Sequence, residues 1–234
     1  MTRLVDNMEI WINPLFNTDG TYRAGDHTVS GARLYNANEK DLNRDFPGRI
    51  ADPFNSLERR EPETQAMMAL VKRQNFVFSA NFHGDAQVVC CPWDNGVPSG
   101  TNSAFPDDRW YVQLATLYAA KNPDMGAGII SVPIVNGNKW HIIYGGRRDW
   151  MYFYGGGREN TIELWDVKNP PDSVLSERWL NNKESFLTFM EQVFHGVRGK
   201  VIDAVNGQPL VARIDVESFS GVPVYSDPDL GDFY

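Results

Sequence analysis

The chain is poor in cysteine, in histidine and in positive charge, and it has no long apolar run. Its two cysteines, Cys90 and Cys91, stand side by side, and a bond between neighbours closes a strained ring. No disulfide framework can be drawn from them, and the redox compartment stays open. Lysine and arginine together number 22 against 30 aspartates and glutamates, a net charge of -8. That balance excludes the broad basic face of a nucleic-acid binder, while leaving room for a local basic pocket. No stretch reaches the roughly 18 apolar residues that a membrane span needs. The start, Met1 to Asp6, carries charge with no apolar stretch behind it, and does not read as a signal peptide. Histidine occurs at His27, His83, His141 and His195, and none is followed three positions later by glutamate.

What is present describes a globular protein. Hydrophobic residues make up 42% and charged residues 22% of 234, ordinary for a chain that packs a core. The length suits one α/β domain with part of a second. Met8 to Ile12 reads as a strand, followed by the turn-rich Asn13-Pro14 and Asn17-Thr18-Asp19-Gly20. A long polar stretch runs from Thr21 to Pro53, of the kind that compact domains keep for function. Glu63 to Arg73 has helical spacing, with Ala66, Met67, Leu70 and Val71 on one face. The apolar run Phe76 to Phe82 suits a buried strand that delivers His83 at its C-terminal end. Arg109 to Ala120 reads as a helix, Asn160 to Leu164 as another central strand, and Val174 to Val193 as a last helix. Alternating helices and strands predict an α/β domain over residues 1–195. Beyond His195-Gly196 the text turns β, with Asn206-Gly207 marking a hairpin between Gly196–Asp203 and Ala212–Val216. Residues 196–234 therefore read as the start of an all-β module, too few strands to stand alone.

Four features bear on chemistry. Asp41-Leu42-Asn43-Arg44-Asp45-Phe46-Pro47 sets an amide beside a guanidinium, and an arginine fork matches a carboxylate in two hydrogen bonds. Asn81-Phe82-His83-Gly84 ends a strand on an imidazole. Gly145-Gly146-Arg147-Arg148-Asp149-Trp150 places a glycine turn before two arginines. Glu163 sits among apolar neighbours, where burial makes a carboxylate more basic. Each feature has a plainer reading alone: a solvated loop, a satisfied core histidine, a turn, a paired edge glutamate.

In order and spacing, NPxxNxDG, DLNRDFP, SANFHG, CPWDNG, GGRRDW and TIELxxxKxPP resemble the zinc metallocarboxypeptidases. The likeness runs from about Ile10 to Tyr234 and is strongest to the regulatory, N/E-type branch, which ends in a transthyretin-like β-sandwich. The resemblance implies a three-layer α/β/α fold with a mixed sheet, incomplete at its N-terminal side, running into the start of that sandwich. It implies hydrolysis of the C-terminal peptide bond of peptides or proteins with one Zn2+ ion. His83 would be the third zinc ligand and Glu163 the general base. Asn43 and Arg44 would anchor the substrate's C-terminal carboxylate. Arg33, one residue out of the usual register, would polarise the scissile carbonyl. The relatives of that branch are usually exported; the oligomeric state stays open.

The sequence departs from the family at three places. The family's first two zinc ligands form an H-x-x-E pair before the NPxxNxDG segment. No such pair occurs here, so two of three protein ligands are missing and one imidazole does not make a zinc site. The abrupt ends read as those of a fragment, which alone would be inactive. His141 falls where the family has a substrate-capping tyrosine, with Tyr144 close by. Asp94 matches an aspartate that favours basic C-terminal residues, but Arg148 replaces its glutamine partner. An arginine there would neutralise Asp94 and turn selection away from basic ends, acidic ends being one outcome. Asp85 also replaces a usual glycine. Two rival readings remain: a non-catalytic binder of peptide C-termini that keeps Asn43 and Arg44, and an amidohydrolase on the same scaffold.

Overall fold

The computed structural model describes residues 2–50, 52, 54–95, 105–217 and 221–234. Its centre is a mixed sheet of four strands: β1 (Phe78–His83), β2 (Ala86–Cys91), β3 (Ile134–Asn136) and β4 (Arg158–Trp165), in the order β1-β4-β2-β3. β4 runs parallel to β1 and antiparallel to β2, and β3 runs parallel to β2. β2 is buried along its whole length and β4 along most of it. β2 accordingly reads as a largely apolar run, whereas β4 carries polar residues even where it is buried.

Two helices, α4 (Asp108–Ala119) and α7 (Asp172–Glu191), cover one face of the sheet. Tyr111, Leu114, Ala115 and Tyr118 of α4 meet Phe189 of α7 over Val89, Cys91 and Ile162. On the other side, α3 (Pro62–Gln74) and α6 (Arg147–Phe153) share a second core of Met67, Met68, Val71, Trp150 and Met151, with Phe46. Proline at the first turn of α3 and Asn75 in the left-handed conformation after it (φ 49°) bound that helix as its sequence asks. The result is a mixed sheet between two helical layers, the α/β/α arrangement that the resemblance implies.

Shorter elements complete the order: α1 (Thr2–Asn7), α2 (Thr18–Thr21), a 3-10 turn at Leu42–Arg44, and α5 (Gly137–Trp140). Four two-residue strands follow α7: β5 (Gly199–Lys200), β6 (Arg213–Ile214), β7 (Val224–Tyr225) and β8 (Asp232–Phe233). No helix among the described residues is long and apolar enough to cross a membrane.

Two expectations fail. Met8–Ile12 is not a strand; residues 9–13 are irregular. Trp11 instead packs edge-on against Phe76 at 6.1 Å, and no strand among the described residues pairs with the segment. The long hairpin about Asn206-Gly207 shrinks to one bridge, Ile202 with Pro209, closed by a Gly207 N–H to Asp203 O bond of 2.9 Å. β5 pairs with β8 and β6 with β7, so the flanking segments take later partners.

Among the described residues β1 pairs with one strand only, β4. Along its other edge runs a groove of about 1800 Å³, walled by residues such as Trp11, Phe16, Leu70, Phe78 and Phe186. Phe82, 49% exposed, and Trp11, 48%, leave apolar surface there.

Candidate carboxylate-binding and catalytic site

The parallel pairing of β1 with β4 puts three pairs of polar residues on one face: Ser79 with Glu159, Asn81 with Thr161, and His83 with Glu163. A strand alternates faces every residue, so the apolar partners Phe78, Ala80, Ile162 and Leu164 face the α4–α7 layer instead. Glu159 is sealed in the polar row. Ser79 Oγ donates to it at 2.6 Å, Asn81 Nδ2 at 2.7 Å, and Arg147 Nη2 lies 2.9 Å away. Sequence reading passed over Glu159 and Arg147; the polar alternation Ser79, Asn81, His83 against Glu159, Thr161, Glu163 was the available signal.

His83 and Glu163 thus come together as partners across the ladder at the C-terminal ends of two neighbouring strands. Burial holds the His83 imidazole below its usual pKa, helped by the Arg148 charge, so the ring is kept neutral. Burial pushes the Glu163 carboxyl up to about 8, against the pull of Arg148 and Lys168. One of its oxygens, Oε2, is buried without a hydrogen-bond partner among the described residues. Asp85, just past β1, takes φ 113°, a conformation natural to glycine, and its carboxylate meets Lys168 Nζ at 2.9 Å on the surface.

Asn43 and Arg44 lie in the 3-10 turn, capped by Asp41, whose carboxylate accepts the Asn43 N–H at 2.9 Å. The Gly145-Gly146 turn braces this element from below. Phe46 N–H donates to Gly145 O at 3.0 Å. Gly145 has φ +74°, and a Cβ there would strike the Arg44 carbonyl, so both backbone hand and space demand glycine. Arg147 N–H donates to Asn43 Oδ1 at 3.0 Å, which leaves the Asn43 amide N–H2 as its donating end. Arg44 is exposed; Nη1 donates to Asn43 O at 2.9 Å, and Nη2 lies 3.3 Å from His141 Nε2. His141 therefore stands beside Arg44.

Arg33 reaches the wall of the groove that His83, Asn43 and Arg147 also line. Its fork is engaged by Glu39, 2.6 Å away, and by Asn36 O at 3.1 Å. Asp94 and Arg148 meet directly and are both buried. Burial raises the Asp94 carboxyl while the Arg148 guanidinium pulls it down; in contact the two form an ion pair.

These residues do not by themselves hold a metal. Among the described residues no three or more His, Cys, Asp or Glu side chains are grouped as a metal ion requires, and His83 is the one imidazole beside Glu163. A zinc site takes at least three protein ligands.

A mixed sheet between two helical layers, with an arginine turn and a glutamate at its strand ends, defines a carboxypeptidase-type α/β domain. Solved structures share the fold: thrombin activatable fibrinolysis inhibitor matches with a TM-score of 0.59 and 19% identity, over 84% of this chain and 54% of that one. Carboxypeptidase A from Helicoverpa armigera matches at 0.54 and 17% identity, over 76% and 49%. The family model described as zinc carboxypeptidase matches residues 1–185. The chain belongs to the zinc carboxypeptidase family, a family of metallopeptidase hydrolases. Mouse carboxypeptidase M is 36% identical, over 100% of this chain and 55% of its own length. Human carboxypeptidase D is 37% identical over 90% and 16%, and the catalytic chain of mouse carboxypeptidase N 33% over 86% and 51%. The chain thus spans about half, or less, of these curated relatives. The family implies zinc, which the residues described above do not suffice to bind.

Proposed function

We propose that this chain carries the carboxylate-clamp and proton-transfer parts of a metallocarboxypeptidase that removes residues from peptide C-termini. The observation that carries the reading is the braced turn of Asn43 and Arg44 over Gly145-Gly146, together with the pairing of His83 and Glu163 near the C-terminal ends of β1 and β4. An arginine fork with an adjacent amide donor is what a free α-carboxylate needs, and an exopeptidase must recognise that group. His141, at 3.3 Å from Arg44, is placed to hydrogen-bond the bound peptide. Glu163, whose carboxyl burial raises to about 8, is in its deprotonated form a strong enough base to take a proton from an attacking water and pass it to the leaving amine. Arg33 on the groove wall is the candidate to polarise the carbonyl, once released from Glu39. Residues 1–195 form the peptidase-type part in this reading, and 196–234 a separate β module of transthyretin-like kind.

A second reading has its own observation. With one imidazole and no three-ligand group among the described residues, this chain by itself fits a binder of peptide C-termini that performs no hydrolysis. Both readings share the clamp. Calorimetric titration of an N-acetylated tripeptide ending in free leucine should lose about tenfold or more in affinity on Arg44→Gln, the worth of a charge-assisted fork. Equal binding by wild type and Arg44→Gln would overturn the clamp. A C-terminal reporter peptide should be left intact by this chain alone; hydrolysis stopped by a zinc chelator would overturn the second reading.

A further inference from the structure

Beside the clamp the fold buries an ion pair. Arg148, on α6, is 2% exposed and Asp94, in the loop after β2, 3%. Arg148 Nη2 is in contact with Asp94 Oδ1. A Cβ at Gly146 would stand 3.0 Å from Asp94 Oδ2 and 3.6 Å from Asn43 Oδ1, so a single glycine separates this pair from the carboxylate-binding amide. The far side is closed by Gly137, where a Cβ would collide with both Asp94 Oδ1 and Arg148 Nη2. The loop is fixed from beneath: the Asp94 N–H donates to both oxygens of Asp149, at 2.9 and 3.0 Å, and Asn95 Nδ2 donates to Asp149 Oδ2 at 3.0 Å.

A peptide held by its terminal carboxylate on Asn43 and Arg44 carries its last side chain on the adjoining carbon. That side chain must lie within its own length of the clamp, and Asp94, paired with Arg148, is a buried charge set one glycine away from it. We infer that Arg148 occupies, from inside the protein, the place a basic terminal side chain would take on Asp94, so that the site accepts peptides with neutral C-terminal residues ahead of basic or acidic ones. The inference rests on the clamp reading above.

Competition decides against a basic end. An incoming guanidinium or ammonium has to displace one that is tethered, already desolvated and present at high effective concentration. It also meets the Arg148 charge at short range, where the interior screens poorly. An acidic end meets Asp94 instead. The remaining donors of Arg148, Nε and Nη1, are buried, so the contact an acidic end makes first is with the Asp94 charge rather than with that fork. The preference for acidic ends that neutralisation of Asp94 left open is therefore replaced by a preference for neutral ones.

The test is calorimetry on the whole chain with N-acetylated tripeptides ending in Leu, Ala, Arg and Glu, each as free acid and as C-terminal amide. The free acids of the Leu and Ala peptides should bind about tenfold or more tighter than those of the Arg and Glu peptides. Arg148→Gln, which uncovers Asp94, should raise the ratio of Arg-ended to Leu-ended affinity by about tenfold or more. If acids and amides bind alike throughout, the clamp reading falls and this inference with it. If acids are preferred but the Arg- or Glu-ended peptide binds tightest, the inference alone is overturned. The wild-type panel gives that answer whether or not Arg148→Gln folds.

Discussion

Burial raises the Glu163 carboxyl from an ordinary 4.5 to about 8, and a displaced pKa is a statement about stability. Between those values the folded protein keeps a proton that the unfolded chain gives up. The fold therefore gains from Glu163 below about pH 4.5 and loses that advantage as the pH rises through 8. Each pKa unit is worth roughly 1.4 kcal/mol, so the loss amounts to a few kcal/mol. Glu163→Gln, neutral and of the same shape, should be more stable than wild type at pH 8.5 and should lose less stability between pH 5 and 8.5, measured by urea unfolding. Asp149, also raised to about 8 by burial and by the Asp94 charge, keeps part of the slope in both proteins. His83, lowered by burial, works in the opposite sense, costing stability as the pH falls through its usual value. Neither disturbs the comparison, because both groups are present in wild type and variant. Identical slopes would show that Glu163 is not held protonated by the fold.

The polar row of β1 and β4 is a problem and a solution at the scale of elements. Glu159 has no exposed surface, and its charge is met by Arg147 from α6 and by Ser79 and Asn81 from β1. One carboxylate thus ties two strands and a helix at the level below the site. Glu159→Gln should cost about 3–5 kcal/mol, because it strands the Arg147 charge in the interior; a urea midpoint within error of wild type would refute this role. Much of this was legible in the sequence. Phe76–Phe82 and Asn160–Leu164 announced buried strands by their apolar residues, and the resemblance set His83 and Glu163 at their ends. The helix over Glu63–Arg73 was legible from the spacing of Ala66, Met67, Leu70 and Val71. Met8–Ile12 was misread because β structure depends on a neighbour that local sequence does not specify. Arg147 and Glu159 were missed because their meeting depends on the register between β1, β4 and α6, a long-range property. The Asp94–Arg148 contact was anticipated from the resemblance, but its burial, which decides the chemistry, comes only from packing.

At the scale of the molecule, the free edge of β1 dominates. Among the described residues no strand pairs along it, and an apolar groove of about 1800 Å³ lies beside it. Edges of this kind pair with other chains unless charge or cover prevents it, and patches this apolar mark interaction surfaces. Sedimentation velocity should show association that rises with protein concentration, and Phe82→Lys, a charge placed on the exposed edge, should reduce it. A single monomeric species at every concentration would mean that the irregular segment at residues 9–13 protects the edge.

The proposed carboxylate clamp of Asn43 and Arg44 is open to direct observation. With the Arg44 guanidinium resonance assigned by nuclear magnetic resonance, an N-acetylated tripeptide ending in free leucine would be titrated in, followed by its C-terminal amide. The account predicts that the free acid shifts the Arg44 Nε–H signal and slows its exchange with water, and that the amide does neither. An Arg44 signal that ignores both peptides, or answers both equally, would contradict it.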